Sequence, residues 1–220
     1  LQWIVNAYAL LFGGFLLLGG RAGDLIGRKR VFLAGLVLFT AASFVCGIAN
    51  GETMLIVSRG IQGLGAALVS PAALSIVTTT FREGPERTKA LGVWAAIAVG
   101  GGAVGLVLGG FLVETFSWPW IFFVNIPVGI AAFIFSLRFV PESRAPRPRR
   151  FDPLGHALVT TLLATLTYGI IEADVAAFAV AGAALAGLLF HEPRRREPLI
   201  DLRFFRSVPF AAAIAISVAA

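Results

Sequence analysis

The sequence predicts an all-α chain, a polytopic bundle of transmembrane helices, and three observations carry that reading. Of 220 residues, 58% are apolar and only 14% charged, whereas a soluble domain is about a quarter charged. With a mean hydropathy of +0.87, the chain lacks the polar surface a water-soluble fold of this size needs. Second, its apolar residues fall into long charge-free runs. Third, the basic residues cluster in alternate gaps between those runs.

The runs are Leu1–Gly20, Val31–Gly51, Gly60–Phe81, Ala90–Val113, Thr115–Leu137, Pro153–Ile171, Val175–Phe190 and Ser207–Ala220. A helix needs roughly 20 residues to cross about 30 Å of hydrocarbon. The first seven runs reach or approach that length, Val175–Phe190 with the help of its polar flanks. Ser207–Ala220 stops at the end of the chain. The first residue already lies inside a predicted membrane helix, with no initiator Met and no signal-peptide pattern before it. The expectation is an internal fragment with helices missing at both ends.

Lys and Arg set the orientation. One gap holds Arg21, Arg28, Lys29 and Arg30. The next but one holds Arg82, Arg87 and Lys89. Then come Arg138, Arg144, Arg147, Arg149 and Arg150, and finally Arg194, Arg195, Arg196, Arg203 and Arg206. The intervening gaps, 50–53, 114–118 and 172–174, hold none. The positive-inside rule places the basic gaps in the cytoplasm. Trp3, Trp118 and Trp120 then fall near the outer boundary, where aromatic belts anchor helices. The net charge of +6 is scattered in these clusters and makes no nucleic-acid footprint. The lone Cys46 has no partner for a disulfide and reads as a packing residue.

Gly20–Arg30 reads as a tight basic loop. Asp24 sits just before the helix predicted to begin near Gly27–Val31, where a helix N-terminus favours a carboxylate and offers it backbone N–H groups. Gly20, Gly23 and Gly27 permit a tight turn. Arg59 is the one basic residue outside the basic gaps. It lies about two turns into its helix, with Gln62 and Gly63 on the same face. A charge at that depth costs at least about 2.5 kcal/mol and faces a cavity or a partner; the bland alternative is snorkelling to the interface.

Gly101, Gly105 and Gly109, with Gly110 beside them, form a four-residue glycine ridge suited to helix contact. Gly100–Gly105 also spells G-x-G-x-x-G, but inside a charge-free run that is no dinucleotide site. Pro141–Arg150 reads as a proline-rich basic linker. Asp152 and Pro153 read as the cap and first position of a helix, and Pro198–Phe205 as an interfacial helix. His156 and His191 read as surface or capping residues. No catalytic triad, metal spacing or P-loop occurs, so the sequence points to no enzyme, metal or cofactor.

These stretches resemble the major facilitator superfamily. Gly20, Asp24, Gly27, Arg28 and Lys29 match its cytoplasmic signature between helices 2 and 3, although Leu25 stands where a basic residue is usual. Arg59 and Gln62-Gly63-Leu64-Gly65 resemble its helix-4 signature, whose arginine is implicated in proton coupling. Gly101–Gly110 resembles the antiporter signature of helix 5, with Leu106 where proline is usual. Leu1–Leu10, Trp118–Pro127 and Glu197–Leu202 are similar to the 14-helix drug:proton antiporters.

The resemblance implies a fragment covering about helices 2–8 and the start of helix 9. Residues 1–140 would be an N-terminal bundle lacking its first helix, 141–151 a cytoplasmic linker, 152–206 an extra helix pair with its loop, and 207–220 the start of a second bundle. It implies proton-coupled efflux of lipophilic or cationic drugs across a bacterial plasma membrane by alternating access, by a protein monomeric when complete. Its partners would be the bilayer, a small-molecule substrate and protons. Gly20, Asp24, Gly27, Arg28 and Lys29 would gate, Arg59 and Gln62 would serve proton coupling, and the glycines would pack helices. Asn6, Tyr8 and Trp94 are weaker candidates for the substrate path. The proton-carrying carboxylate would lie elsewhere, because no acid falls well inside any run. A metabolite symporter or uniporter on the same fold, and a truncated membrane remnant without transport, are the rival readings.

Overall fold

A computed structural model describes residues 2–144 and 152–195. They form α1 (Gln2–Ile26), α2 (Arg28–Gly47), α3 (Glu52–Thr80), α4 (Pro85–Thr115), α5 (Trp120–Phe123), α6 (Asn125–Phe139), α7 (Pro153–Glu172) and α8 (Val175–His191), followed by a 3-10 turn at Glu192–Arg194. With α5 and α6 counted as one crossing, seven segments are long and apolar enough to span a bilayer. The chain is a multi-pass helical membrane protein. The expected interfacial helix at Pro198–Phe205, the run Ser207–Ala220 and most of the linker lie outside the described residues.

Two expected elements come out differently. The basic loop is not a loop. α1 continues as helix through Arg21 and Asp24 to Ile26, and α2 starts at Arg28. Charged residues do not end a helix; only Gly27 does, at φ 124°, a conformation open to glycine alone among common residues. Asp24 therefore closes α1 instead of capping α2. The run Thr115–Leu137 also starts differently: Thr115 still belongs to α4, residues 116–119 turn, and the crossing begins at Trp120, with α5 passing into α6 through Val124, whose backbone stays helical. Pro127 lacks the N–H that the Phe123 carbonyl would otherwise accept.

Among the described residues α1, α2 and α3 form the tightest unit. In a bilayer no hydrophobic effect drives helices together, so close approach at small residues does. A Cβ on Gly19 would strike the Ala67 carbonyl, and one on Gly63 the Tyr8 carbonyl. One on Gly65 would lie 2.6 Å from the Phe39 backbone nitrogen. α6 approaches α2 in the same way where Gly129 meets Thr40. α4 is the contrast. It is exposed along its length, with Leu106 at 81%, and it touches α3 and α5 near its ends.

α7 and α8 form a hairpin. Asp152 caps α7 as expected, accepting from the Gly155 N–H at 3.2 Å. Ala173, in the left-handed conformation, ends the helix, and Asp174 caps α8 by accepting from Ala176 at 2.8 Å. The sequence did not reveal how the far end closes. Asp152 Oδ2 lies 2.8 Å from His191 Nε2, and Asp152 Oδ1 accepts from Arg195 Nη2 at 2.9 Å. His156, expected as a surface or capping residue, is buried at the start of α7, with Nδ1 2.7 Å from the Asp152 carbonyl oxygen.

Burial disfavours ionised Asp152. The Gly155 hydrogen bond, the His191 bond and charge, and the Arg195 charge together outweigh it and hold the carboxyl below its ordinary value. A depressed folded-state pKa stabilises fully above the unfolded value, about 3.9, and is lost as pH falls through the lower folded value. The hairpin is thus expected to keep its clasp at pH 4 and release it in stronger acid. Asp152→Ala is expected to cost about 1.5–3 kcal/mol, read as a lowered thermal midpoint at pH 7 whose deficit disappears in strong acid.

Candidate functional site

Arg59 sits two turns into α3 from Glu52, at the face packed on α1 and α2. Its Nε donates to the Ile4 carbonyl at 3.0 Å, and Nη1 donates to Gln62 Oε1 at 2.6 Å. Gln62 is buried and passes the chain on, its Nε2 donating to Ser43 Oγ on α2 at 2.5 Å. The guanidinium carbon lies 4.3 Å from the centre of the Tyr8 ring and 5.8 Å from that of Phe122. Among the described residues no carboxylate pairs with Arg59. Its ligands are a main-chain dipole, a side-chain amide and two π faces.

Such a set holds the cation in place without cancelling its charge. The field of Arg59 is left to act on its surroundings. Gly63 makes the arrangement possible, because its missing side chain brings the Tyr8 backbone against α3. The side chain turns to Ile4 and Gln62 within the bundle. Toward the basic-poor end, Cys46, Leu55 and Phe122 form an apolar cluster. Beyond it lies a cavity of about 530 Å³ lined by Ile4, Glu52, Leu55, Trp118 and Phe122 among others. Phe122 and Ile4, both beside Arg59, line that cavity.

The second candidate is the break at Gly27. Arg28 Nη2 donates to Asp24 Oδ1 at 3.1 Å across it. The carboxylate at the start of α2 is Glu142, not Asp24. Glu142 Oε1 accepts the Lys29 N–H at 3.2 Å and its own neighbour Ser143 N–H at 3.0 Å, while Oε2 lies 3.7 Å from Arg30 Nε. Arg28 N–H donates to the Ser143 carbonyl at 2.9 Å, and Lys29 Nζ to that of Leu137 at 2.9 Å. The end of α6 is thus fastened to the start of α2. Arg28 Nε and Arg21 Nη2 are buried donors with no acceptor among the described residues.

The other expected site residues divide. Tyr8 belongs to the Arg59 cluster. Asn6 is buried on α1, with Nδ2 lacking an acceptor among the described residues. Gly20 lies in ordinary contact with Pro71, 3.5 Å from where a Cβ would stand. Trp94 lines a groove between the ends of α3 and α4, with Phe81 and Lys89. No described atom stands within 4 Å of the Cβ position at Gly101, Gly105, Gly109 or Gly110. Ser43, Phe122 and Glu142 were missed. A buried Gln62 demands a polar partner, and Ser43 was one of few hydroxyls in the neighbouring run. Nothing local pointed to Glu142.

Helices of membrane-crossing length packed on one another make this a polytopic helical membrane protein. The chain belongs to the Major Facilitator Superfamily, whose family profile matches residues 1–220. It is 38% identical to the multidrug resistance protein Stp of Mycobacterium tuberculosis, over 98% of this chain and 42% of that protein. It is 41% identical to the cephamycin export protein CmcT of Amycolatopsis lactamdurans, over 93% and 45%. It is 35% identical to the tetracenomycin C resistance and export protein of Streptomyces glaucescens, over 99% and 42%. The chain spans less than half the length of these relatives.

Four substitutions test the geometry. Gly63→Ala is expected to force α1 off α3 and cost about 1–3 kcal/mol, whereas Gly101→Ala leaves these described contacts unchanged; thermal unfolding of the two variants side by side reads the difference. Gly27→Ala meets a strained φ and Glu142 Oε1 at 2.6 Å, and is expected to cost at least about 1–2 kcal/mol, with Glu142→Gln costing less.

Proposed function

We propose that this chain is the first half of a proton-coupled exporter of lipophilic or cationic drugs in a bacterial plasma membrane, working by alternating access. The observation that carries the reading is Arg59, a cation held in the bundle by neutral ligands. A carboxylate that loses its proton nearby would be stabilised by that charge, and one that gains a proton would give the stabilisation up. Arg59 would therefore bias a proton site that another helix supplies. The names of the relatives, multidrug resistance, cephamycin export and tetracenomycin C resistance and export, support the direction and the kind of cargo.

Asp24, Arg28 and Lys29 would act at a gate on the basic side. The unpaired donors of Arg21 and Arg28 support this, since a buried N–H favours an acceptor and the second half of such a protein would bring one in one conformation. Gly101, Gly105 and Gly109 would form a sliding contact with a helix outside this chain, which accords with the open surface of α4. Asn6, Tyr8 and Trp94 remain the proposed path residues, and the complete protein is proposed to act as a monomer.

A symporter or uniporter of metabolites is favoured by one observation, Leu106. α4 is an unbroken helix from Pro85 to Thr115, without the proline of the antiporter signature. If Leu106→Pro in the complete protein leaves direction and coupling unchanged, Leu106 does not support that rival.

Drug accumulation in cells lacking other pumps tests the main reading. Arg59→Ala in the complete protein is expected to reduce export ~10-fold or more, equivalent to ~1.4 kcal/mol or more. Arg59→Lys is expected to recover little, because a point charge cannot reach both Ile4 and Gln62. Protein levels are followed in parallel, and unchanged export at normal levels removes Arg59 from the mechanism.

A further inference from the structure

α7 meets the rest of the described chain through α1. The contact centres on Gly14, which is buried in the middle of α1. Thr160 Oγ1 donates to the Gly14 carbonyl at 2.9 Å. A Cβ on Gly14 would stand 3.7 Å from Thr160 Cγ2 and 3.9 Å from the Ala164 Cβ. One turn of α7 therefore rests on bare backbone. Nearer the other end of the two helices, the Trp3 and Tyr168 rings lie 5.8 Å apart at 42°. The hairpin behind this contact is itself stiff. The Asp152 clasp closes one end, and the Phe178 ring lies against Gly169 near the other, 3.2 Å from where a Cβ would stand.

From these contacts we infer that the α7–α8 hairpin is a fixed wall of the first half and rides with α1, so that it is not a hinge or a sliding strap between halves. The physical reason is what separation would leave. Gly14 keeps its intrahelical bond, but Thr160 would face hydrocarbon with its hydroxyl unpaired by α1, and bare backbone on α1 would lose its cover. Two contacts some two turns apart on α7 also resist rotation, which one contact would not. Thr160 and Gly14 are positioning residues in this assignment. By holding α1 from behind, the hairpin sets the level of Ile4, whose carbonyl takes the Arg59 N–H.

The test uses the complete protein in native membranes, with Gly14→Cys and Ala164→Cys in a Cys46→Ala background. The 3.9 Å separation suits a disulfide, whose Cβ atoms stand about 3.5–4.5 Å apart. Expected is a disulfide that forms to the same extent with and without a transported drug and a proton gradient, and export unchanged when it is oxidised. A disulfide that fails to form, that forms in one condition only, or that stops export until reduced would overturn the inference. Disulfide yield is read on a gel independently of export. A protein that never exports, even reduced, therefore counts against the transport reading and leaves the docking decided by the yield. Thr160→Val in the same background is expected to lower the rate of disulfide formation several-fold.

Discussion

Everything around α3 follows from one constraint. The guanidinium of Arg59 is partly buried among α1, α2 and α3, and protein atoms supply its partners there. The cheapest remedy, a carboxylate, is not taken among the described residues. The cost falls on the main chain of α1, on Gln62 with Ser43 behind it, and on the faces of Tyr8 and Phe122. Each of these requires a particular helix to stand at a particular height and distance. The glycines at 19, 63 and 65 are there because those distances leave no room for side chains. The three-helix unit is the cage of its own cation.

That cage explains the different character of the two ends of the bundle. At one end, aromatic and aliphatic side chains close over the cluster. At the other, charged residues crowd at Gly27 and are tied by Glu142 to the end of α6. One end is sealed by packing, which either holds or fails. The other is held by charge-assisted hydrogen bonds, which can exchange one acceptor for another without a large change in area. An element meant to open and close is better built of the second kind.

Much of this was legible in the sequence because the bilayer writes in coarse letters. The seven membrane-length helices follow from run length and charge placement alone. The face shared by Arg59, Gln62 and Gly63 follows from helical spacing. What spacing could not show was where a helix stops. The eye reads charge as loop, yet hydrogen bonding along the backbone is indifferent to charge, so α1 ran on through Arg21 and Asp24 to the one residue whose backbone turned. Contacts across the chain were out of reach for the same reason. Nothing near Glu142 refers to Lys29, and nothing near Asp152 refers to His191, since each pair is created by the packing of distant elements. The burial of His156 was out of reach because a lone histidine at a helix start has no period from which burial can be read.

The acceptor that Arg59 takes from α1 belongs to the main chain of Ile4 and not to its side chain. That shifts where the family can vary. Any residue other than one that breaks the helix presents the same carbonyl, so position 4 can drift among apolar types as the membrane or the cargo changes. The burden of keeping the carbonyl in reach passes to Gly63, four residues beyond the arginine, which has no substitute of its own size. The contact depends less on the position that makes it than on the position that allows it.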